Sequence, residues 1–425
     1  ELVDVLNMAD ALCFPSIEDN YPNTIVEATA CGTPTIAFRT GGMEEMVVHG
    51  STGILVDEHF RADAFAEGIV EFVLQYFRDE RMRRNCRKAA QSNNAPHRIG
   101  TQLKALYEGA VGQDKSAGSE PCLSRRGVQI LRRIPAAGAD SFGEQFMQFP
   151  LNRELARMAT QHGGSTNVEL VEASQQLVPP EQKRGGKIDV LLVSSIHSHH
   201  SHRSGPYQFS RFLDPNRFTV EEWRVPLGND LNSKGCLQHQ LAAKMLGLEG
   251  YINQSNGSVA EFDLLRRITR CAPDIVHFVD GELCGWLTPR IAKKLLGTSC
   301  PKFIMSLHQP TELLKTMVSK RLLQQYDLIT PISCCIRECL ESFVTTKKIV
   351  ALPHGIDVVF FTPAMQKAKD EPFRMCAVGQ WLRDYDSALA AMNEIQCRGL
   401  NVEYTIVSNL FPENHSTDKL HFVRD

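Results

Sequence analysis

The chain has 425 residues, enough for two or three domains with their own cores. Its 46 Lys and Arg against 49 Asp and Glu leave a net charge of -3, which excludes a general electrostatic attraction to nucleic acid. With 43% hydrophobic and 22% charged residues the composition is that of a folded globular protein, and no apolar run reaches the roughly 18 residues of a membrane span, so membrane contact is expected to be peripheral at most. The thirteen Cys are scattered without a CxxC pair and read as reduced thiols of a cytoplasmic protein. Cys334, Cys335 and Cys339 fall on one predicted helix, at a spacing that does not match a standard zinc site. The start, ELVDVLNMAD, is neither a Met start nor a signal peptide, and it reads as the middle of a helix, so a fragment is expected.

In chain order, residues 1–112 alternate helix and strand. The opening helix runs into the apolar strand ALCFPS. PNTIVEATACG predicts a helix, with Pro22 in its first turn and Gly32 at its stop. TPTIAF and TGILV are buried strands, and ADAFAEGIVEFVLQYF and RIGTQLKALYEGAV have helical periodicity. Such alternation implies a parallel sheet covered on both faces. Residues 113–185 read as a linker, because GQDKSAGSEP and VPPEQKRGGK are rich in Gly, Pro, Ser and charge. A second domain over 186–365 opens with strand KIDVLLVSSI, followed by the polar loop HSHHSHRSGPYQ and a helix. PDIVHFVD, CPKFIMSLH, YDLITPIS and KIVALPHG are its further strands. A third unit, 366–425, holds strand FRMCAVG, helix YDSALAAMNEI and strands VEYTIVSN and KLHFVRD.

The run SIEDNYPNTIVEATACGTPTIAF resembles the E-x7-E signature of retaining GT-B glycosyltransferases, with Asp19 and Glu27 at the two carboxylate positions and Glu18 beside the first. PNT, EATACGTP, TGGMEEMV and HGSTGILV follow in the family's order. A helix N-terminus offers free N–H groups and a positive dipole end to a diphosphate, and Asn20, Tyr21, Asn23 and Thr24 stand there. The resemblance implies that Asp19 holds the donor sugar and Glu27 the ribose. Gly41 and Gly42 are expected to let the backbone approach the donor closely.

The second domain resembles the acceptor half of the same superfamily. LPHGIDVVFFTP is similar to the family's interdomain signature xxNGVDxxxFxP, and SLHQP puts His308 where the family has an active-site His. RSGPYQ stands where the family has a small-residue loop, so His202, Arg203, Ser204 and Gly205 are candidates for contact with acceptor or phosphate. His197, His199, His200 and His202 invite a metal reading, but no acidic or thiol partner is near in sequence. The family needs no metal, and neither metal nor cofactor is expected here. VGQWLRDYDSAL departs from the family's VGRLxxxKG. Gln380 and Tyr385 replace the Arg and Lys, which leaves Arg383 as the cation expected to contact phosphate.

The resemblance implies an α/β fold of GT-B type: two Rossmann-like domains with parallel sheets, here in permuted or fragment order. The expected partners are a nucleotide sugar and a glycan or lipid-linked acceptor, the expected reaction is transfer with retention, and the setting is polysaccharide or glycoconjugate biosynthesis. A non-catalytic nucleotide-sugar-binding module and a nucleotide-sugar epimerase stay open beside it. The pieces run late donor half, linker, acceptor half, early donor half, as in a tandem of two enzymes or a circular permutation. Residues 1–112 and 373–425 would each leave an exposed apolar strand edge if alone. They are expected to close one sheet, with Met375–Val378 parallel to Ala11–Phe14 in the order 3-2-1-4-5-6.

Overall fold

The computed structural model describes residues 2–58, 61–112, 186–195, 203–225, 257–364, 372–379, 382–408 and 419–423. The predicted linker, the HSHHSH run including His202, and Gln380 lie outside the described residues.

Two parallel sheets organise the chain. The first contains β1 (Ala11–Phe14), β2 (Thr35–Phe38), β3 (Gly53–Val56), β9 (Phe373–Val378), β10 (Val402–Val407) and β11 (Leu420–Val423), in the order β11-β10-β9-β1-β2-β3. Counted from β9, this is 3-2-1-4-5-6. The pairing expected of the two chain regions is present: Ala11 lies opposite Met375 and Leu12 opposite Cys376, in parallel. The reason is visible in burial. All four residues of β1, β2 and β3 are buried, so each strand needs cover on both faces, and β1, inside the sheet, has a strand on either edge. Ala11 and Cys13 face one core with the helices Ala62–Gln75 and Tyr385–Cys397. Leu12 and Phe14 point the other way, toward the helix Asn23–Ala30.

The second sheet holds β4 (Ile188–Ser195), β5 (Phe218–Val225), β6 (Ile275–Phe278), β7 (Lys302–Leu307) and β8 (Leu328–Pro331), in the order β5-β4-β6-β7-β8. The sequence reading missed β5, because FTVEEWRV is half polar. It is an edge strand whose polar positions are half-buried or exposed, and it pairs with β4 along its whole length. Conversely, KIVALPHG is not a strand. Ile349 makes an isolated bridge to Ile329, and beyond it only single backbone bonds follow the sheet, Val350 N–H to Ile329 and Leu352 N–H to Pro331. Pro353 and Gly355 end any regular pairing there.

Residues 1–112 do not all belong to the first sheet's body. The helix Pro96–Gly112 packs Ile99, Leu103, Leu106, Tyr107 and Ala110 against Ile188, Val190, Leu192, Phe209 and Phe218 of the second. A segment crosses in the other direction as well. Arg87, on the helix Glu80–Asn93, donates to the carbonyls of Ala30, Phe361 and Val358 and so clamps the 358–361 segment to the first body. One apolar core runs from Leu12 and Phe14 through to Val276 and Phe303. Among the described residues, no helix is long and apolar enough to cross a membrane.

Candidate functional site

The strand ends of the two sheets meet along a seam. On the first side, β1 ends at Phe14 and the chain turns through 15–22 before the helix Asn23–Ala30. Asp19 sits in that turn, 22% exposed, with Oδ2 3.4 Å from Arg383 Nη1. Arg383 is nearly buried. Its guanidinium lies over the Phe14 ring at 3.8 Å from the centroid and donates to Ser16 Oγ at 3.1 Å. The residue before it, Leu382, has a left-handed φ of 52°, a conformation that costs about 1–2 kcal/mol in a non-glycine residue. It is held there by Ile17 N–H and Ser16 O–H, both donating to the Leu382 carbonyl. That backbone turn aims Arg383 at Asp19. Burial raises the Asp19 pKa, against the opposing pull of Arg383 and of the Asn20 and Tyr21 amides, and it lowers the Arg383 pKa despite Asp19.

Gly41 and Gly42 pack directly on this turn. A Cβ on Gly41 would stand 2.1 Å from the Asp19 carbonyl oxygen, and one on Gly42 1.8 Å from that of Asn20. Gly42 N–H donates to the Asp19 carbonyl at 2.9 Å. The two glycines therefore fix the Asp19–Asn20 backbone by direct apposition.

On the second side, β7 ends at Leu307 and His308 follows. Asn20 Nδ2 donates to the His308 carbonyl at 2.9 Å, which ties the two bodies together at this point. Glu282, 1% exposed in the loop after β6, accepts the His308 backbone N–H at 3.0 Å and places Oε1 3.5 Å from His308 Nδ1. Asp280 Oδ1 is 4.0 Å from the same nitrogen. Burial pushes the His308 imidazole's pKa down, but Glu282, by charge and hydrogen bond, and Asp280 outweigh it, and the net shift is upward. His308 Nε2, Glu282 Oε2 and Asn20 Oδ1 are buried and, among the described residues, meet no hydrogen-bonding group.

The other sequence candidates gather around this contact. Glu27, 7% exposed, accepts a hydrogen bond from Ser204 Oγ across the seam. Gly205 has φ 83° and faces Asn23, and its N–H donates to the Gly355 carbonyl at 3.0 Å. Asn23 Oδ1 lies 2.7 Å from His354 Nδ1. Tyr21 meets the His354 ring edge-on, and its hydroxyl accepts from Asn94 Nδ2 at 2.9 Å. Thr24 is half-buried in the helix's first turn. Arg203 turns away to Asp357, 2.8 Å from its carboxylate, and lies over the Phe360 ring. Tyr385 donates its hydroxyl to the Gly379 carbonyl. Cys334 and Cys335 begin the helix Cys334–Glu341, and both their backbone N–H groups donate to Glu45 Oε1, a cap supplied from the opposite body.

Sequence reasoning missed Glu282, His354, Asn94 and Arg87. His354 stood inside LPHGID and stacks obliquely on His308, with ring centroids 5.2 Å apart. Glu282 follows HFVDG at a strand end, where α/β sheets collect functional groups, and that position was the available signal.

Residues 1–93 match the family model described as Glycosyl transferases group 1. Among similar proteins, the D-inositol 3-phosphate glycosyltransferase of Pseudarthrobacter chlorophenolicus is 43% identical over 63 residues, 15% of each chain. That of Rhodococcus jostii is 31% identical over 134 residues, 31% of this chain and 29% of the relative. The N-acetyl-alpha-D-glucosaminyl L-malate synthase of Bacillus anthracis is 27% identical over 119 residues, 27% of this chain and 30% of the relative. The chain thus spans between 15% and 30% of the length of these curated relatives. The crystal structure of Anabaena Alr3699/HepE in complex with UDP and glucose aligns over 51% of this chain and 68% of that one, at 9% identity and a TM-score of 0.26, a likeness too loose to carry any argument.

Proposed function

We propose that this chain is a glycosyltransferase that moves a sugar from a nucleotide sugar to a hydroxyl of a glycan or lipid-linked acceptor, with retention, in polysaccharide or glycoconjugate synthesis at a cytoplasmic site. The observation that carries the reading is the meeting of two carboxylate-bearing clusters at one seam: Asp19 with Arg383 from the first sheet, and His308 with Glu282 from the second, joined by the Asn20–His308 bond. The group 1 match over residues 1–93 supports it from the sequence side.

In this reading the bond from the anomeric carbon to the diphosphate oxygen breaks, and the acceptor oxygen forms its bond on the same face. The acceptor proton leaves on the departing diphosphate, so atoms and charge balance without a metal or cofactor. The N–H groups at Asn23 and Thr24, with Asn20 and Tyr21 beside them, and Arg383 stabilise the leaving diphosphate. Asp19 and His308 hold the reacting sugar. Glu27, now taken by Ser204, turns to the ribose, and the 203–205 loop faces acceptor or phosphate.

A second reading has a specific observation behind it. Tyr385 fills the place of a phosphate-binding Lys and is closed on Gly379, which favours a module that binds a nucleotide sugar without turning it over. Incubation of the chain with a panel of nucleotide sugars and simple glycoside acceptors, followed by NMR of the products, separates the possibilities. A new glycoside with the donor's anomeric configuration supports transfer. Binding without product supports the second reading, and an altered nucleotide sugar means epimerisation.

A further inference from the structure

We propose that Glu282 is a positioning residue for His308, one that fixes a proton on Nδ1 and presents Nε2 to the reacting sugar or its leaving oxygen. The inference rests on the transferase reading for what Nε2 meets, but its geometry stands apart from that reading.

Glu282 holds His308 at two atoms. Oε1 accepts the His308 backbone N–H at 3.0 Å and lies 3.5 Å from Nδ1. The carboxylate is 1% exposed, and a buried carboxylate carries a large desolvation cost unless its charge is used. Here the imidazole answers it, so the Nδ1 edge of the ring is occupied and acidic. The Nε2 edge is buried and, among the described residues, has no hydrogen-bonding group against it. That asymmetry sets the tautomer: Nδ1–H faces Glu282, and Nε2 is the edge left for a ligand. The same carboxylate favours the imidazolium, in which Nε2–H becomes a donor suited to an oxygen that gains negative charge. The surroundings agree. Asp280 approaches Nδ1 from the same loop at 4.0 Å, and Asn20 takes only the His308 carbonyl. His354 covers the ring from the segment after Leu352, and its own Nδ1 is turned to Asn23. His277, on β6, is kept neutral by burial and adds no fixed charge.

The test is an NMR titration of ring-labelled His308 in the full chain, assigned by comparison with His308→Gln. In Glu282→Gln the His308 midpoint is expected to fall by about one unit or more, as loss of a charge at this range implies. In transfer assays kcat is expected to fall about 10-fold to 100-fold, with the nucleotide-sugar KM within about threefold. Glu282→Asp keeps the charge and is expected to hold the midpoint near the parent's, with part of kcat restored. If Glu282→Gln does not fold, Glu282→Asp decides alone: a retained midpoint supports the proposal, and one as low as a free histidine's overturns it. An unmoved midpoint in folded Glu282→Gln also overturns it. A lowered midpoint in a chain that transfers no sugar would leave the positioning intact and sink the transferase reading instead.

Discussion

His277 stands on β6 and His308 just past the end of the neighbouring β7, and their surroundings are opposite. His277 is sealed, with Nδ1 2.8 Å from the Tyr107 hydroxyl and Nε2 2.8 Å from Ser306 Oγ, which continues to Thr330 Oγ1 at 2.7 Å. Both ring nitrogens are satisfied by neutral partners, and burial drives the pKa down to about 3. His308 has carboxylates at one nitrogen and, among the described residues, no hydrogen-bond partner at the other, and its pKa moves up. The contrast separates a polar chain that completes a core from a polar group held ready for something else. A satisfied network rigidifies, whereas an unsatisfied buried atom costs about 1–3 kcal/mol until a ligand answers it.

The comparison breaks if the largest expected effect is absent. Asp19→Ala removes the carboxylate opposite buried Arg383 and is expected to cost about 3 kcal/mol in urea unfolding, because a buried guanidinium loses the carboxylate 3.4 Å from it. It is also expected to abolish transfer. Gly42→Ala follows at about 2–3 kcal/mol, since its Cβ meets the Asn20 carbonyl and the turn carrying Asp19 must shift. Unfolding of that variant near parental denaturant would show that the apposition is not rigid.

The two histidines themselves sharpen the contrast through pH. His277 is depressed in the fold, so its contribution is whole above the unfolded value near 6.5 and is lost as pH falls toward about 3, at up to about 1.4 kcal/mol per unit. His308 is raised, so its contribution is whole below about 6.5 and is lost as pH rises through its folded value. The stability differences between the parent and His277→Gln and between the parent and His308→Gln are therefore expected to slope in opposite directions. The smallest effect is that of Ser204→Ala, about 1 kcal/mol, because Glu27 loses one hydrogen bond at the seam. Its nucleotide affinity is expected to be unchanged or slightly tighter, measurable by calorimetry.

Much of this was legible in the chain. The strand ALCFPS is apolar on both faces, and together with the complementary strand sets that the family resemblance implies this called for the two distant regions to share a sheet, as Ala11 and Met375 do. The carboxylate turn was legible because a motif of fixed spacing carries it. The rest was hidden for physical reasons. β5 is an edge strand whose charged face resembles a loop. Arg87 sits on the charged helix Glu80–Asn93 and reads as solvated, while it donates to three carbonyls. Glu282 and His308 are brought together only because β6 and β7 are adjacent in parallel, with His277 opposite Ile304. No local pattern records that adjacency.

The most direct test of the seam as the site is a crystal structure of the chain with a non-transferable nucleotide-diphosphate sugar. The account predicts the sugar within hydrogen-bond distance of His308 Nε2 and Asn20 Oδ1, with the diphosphate against residues 20–24 and Arg383. A nucleotide bound elsewhere, with His308 Nε2 still without a partner, would contradict it.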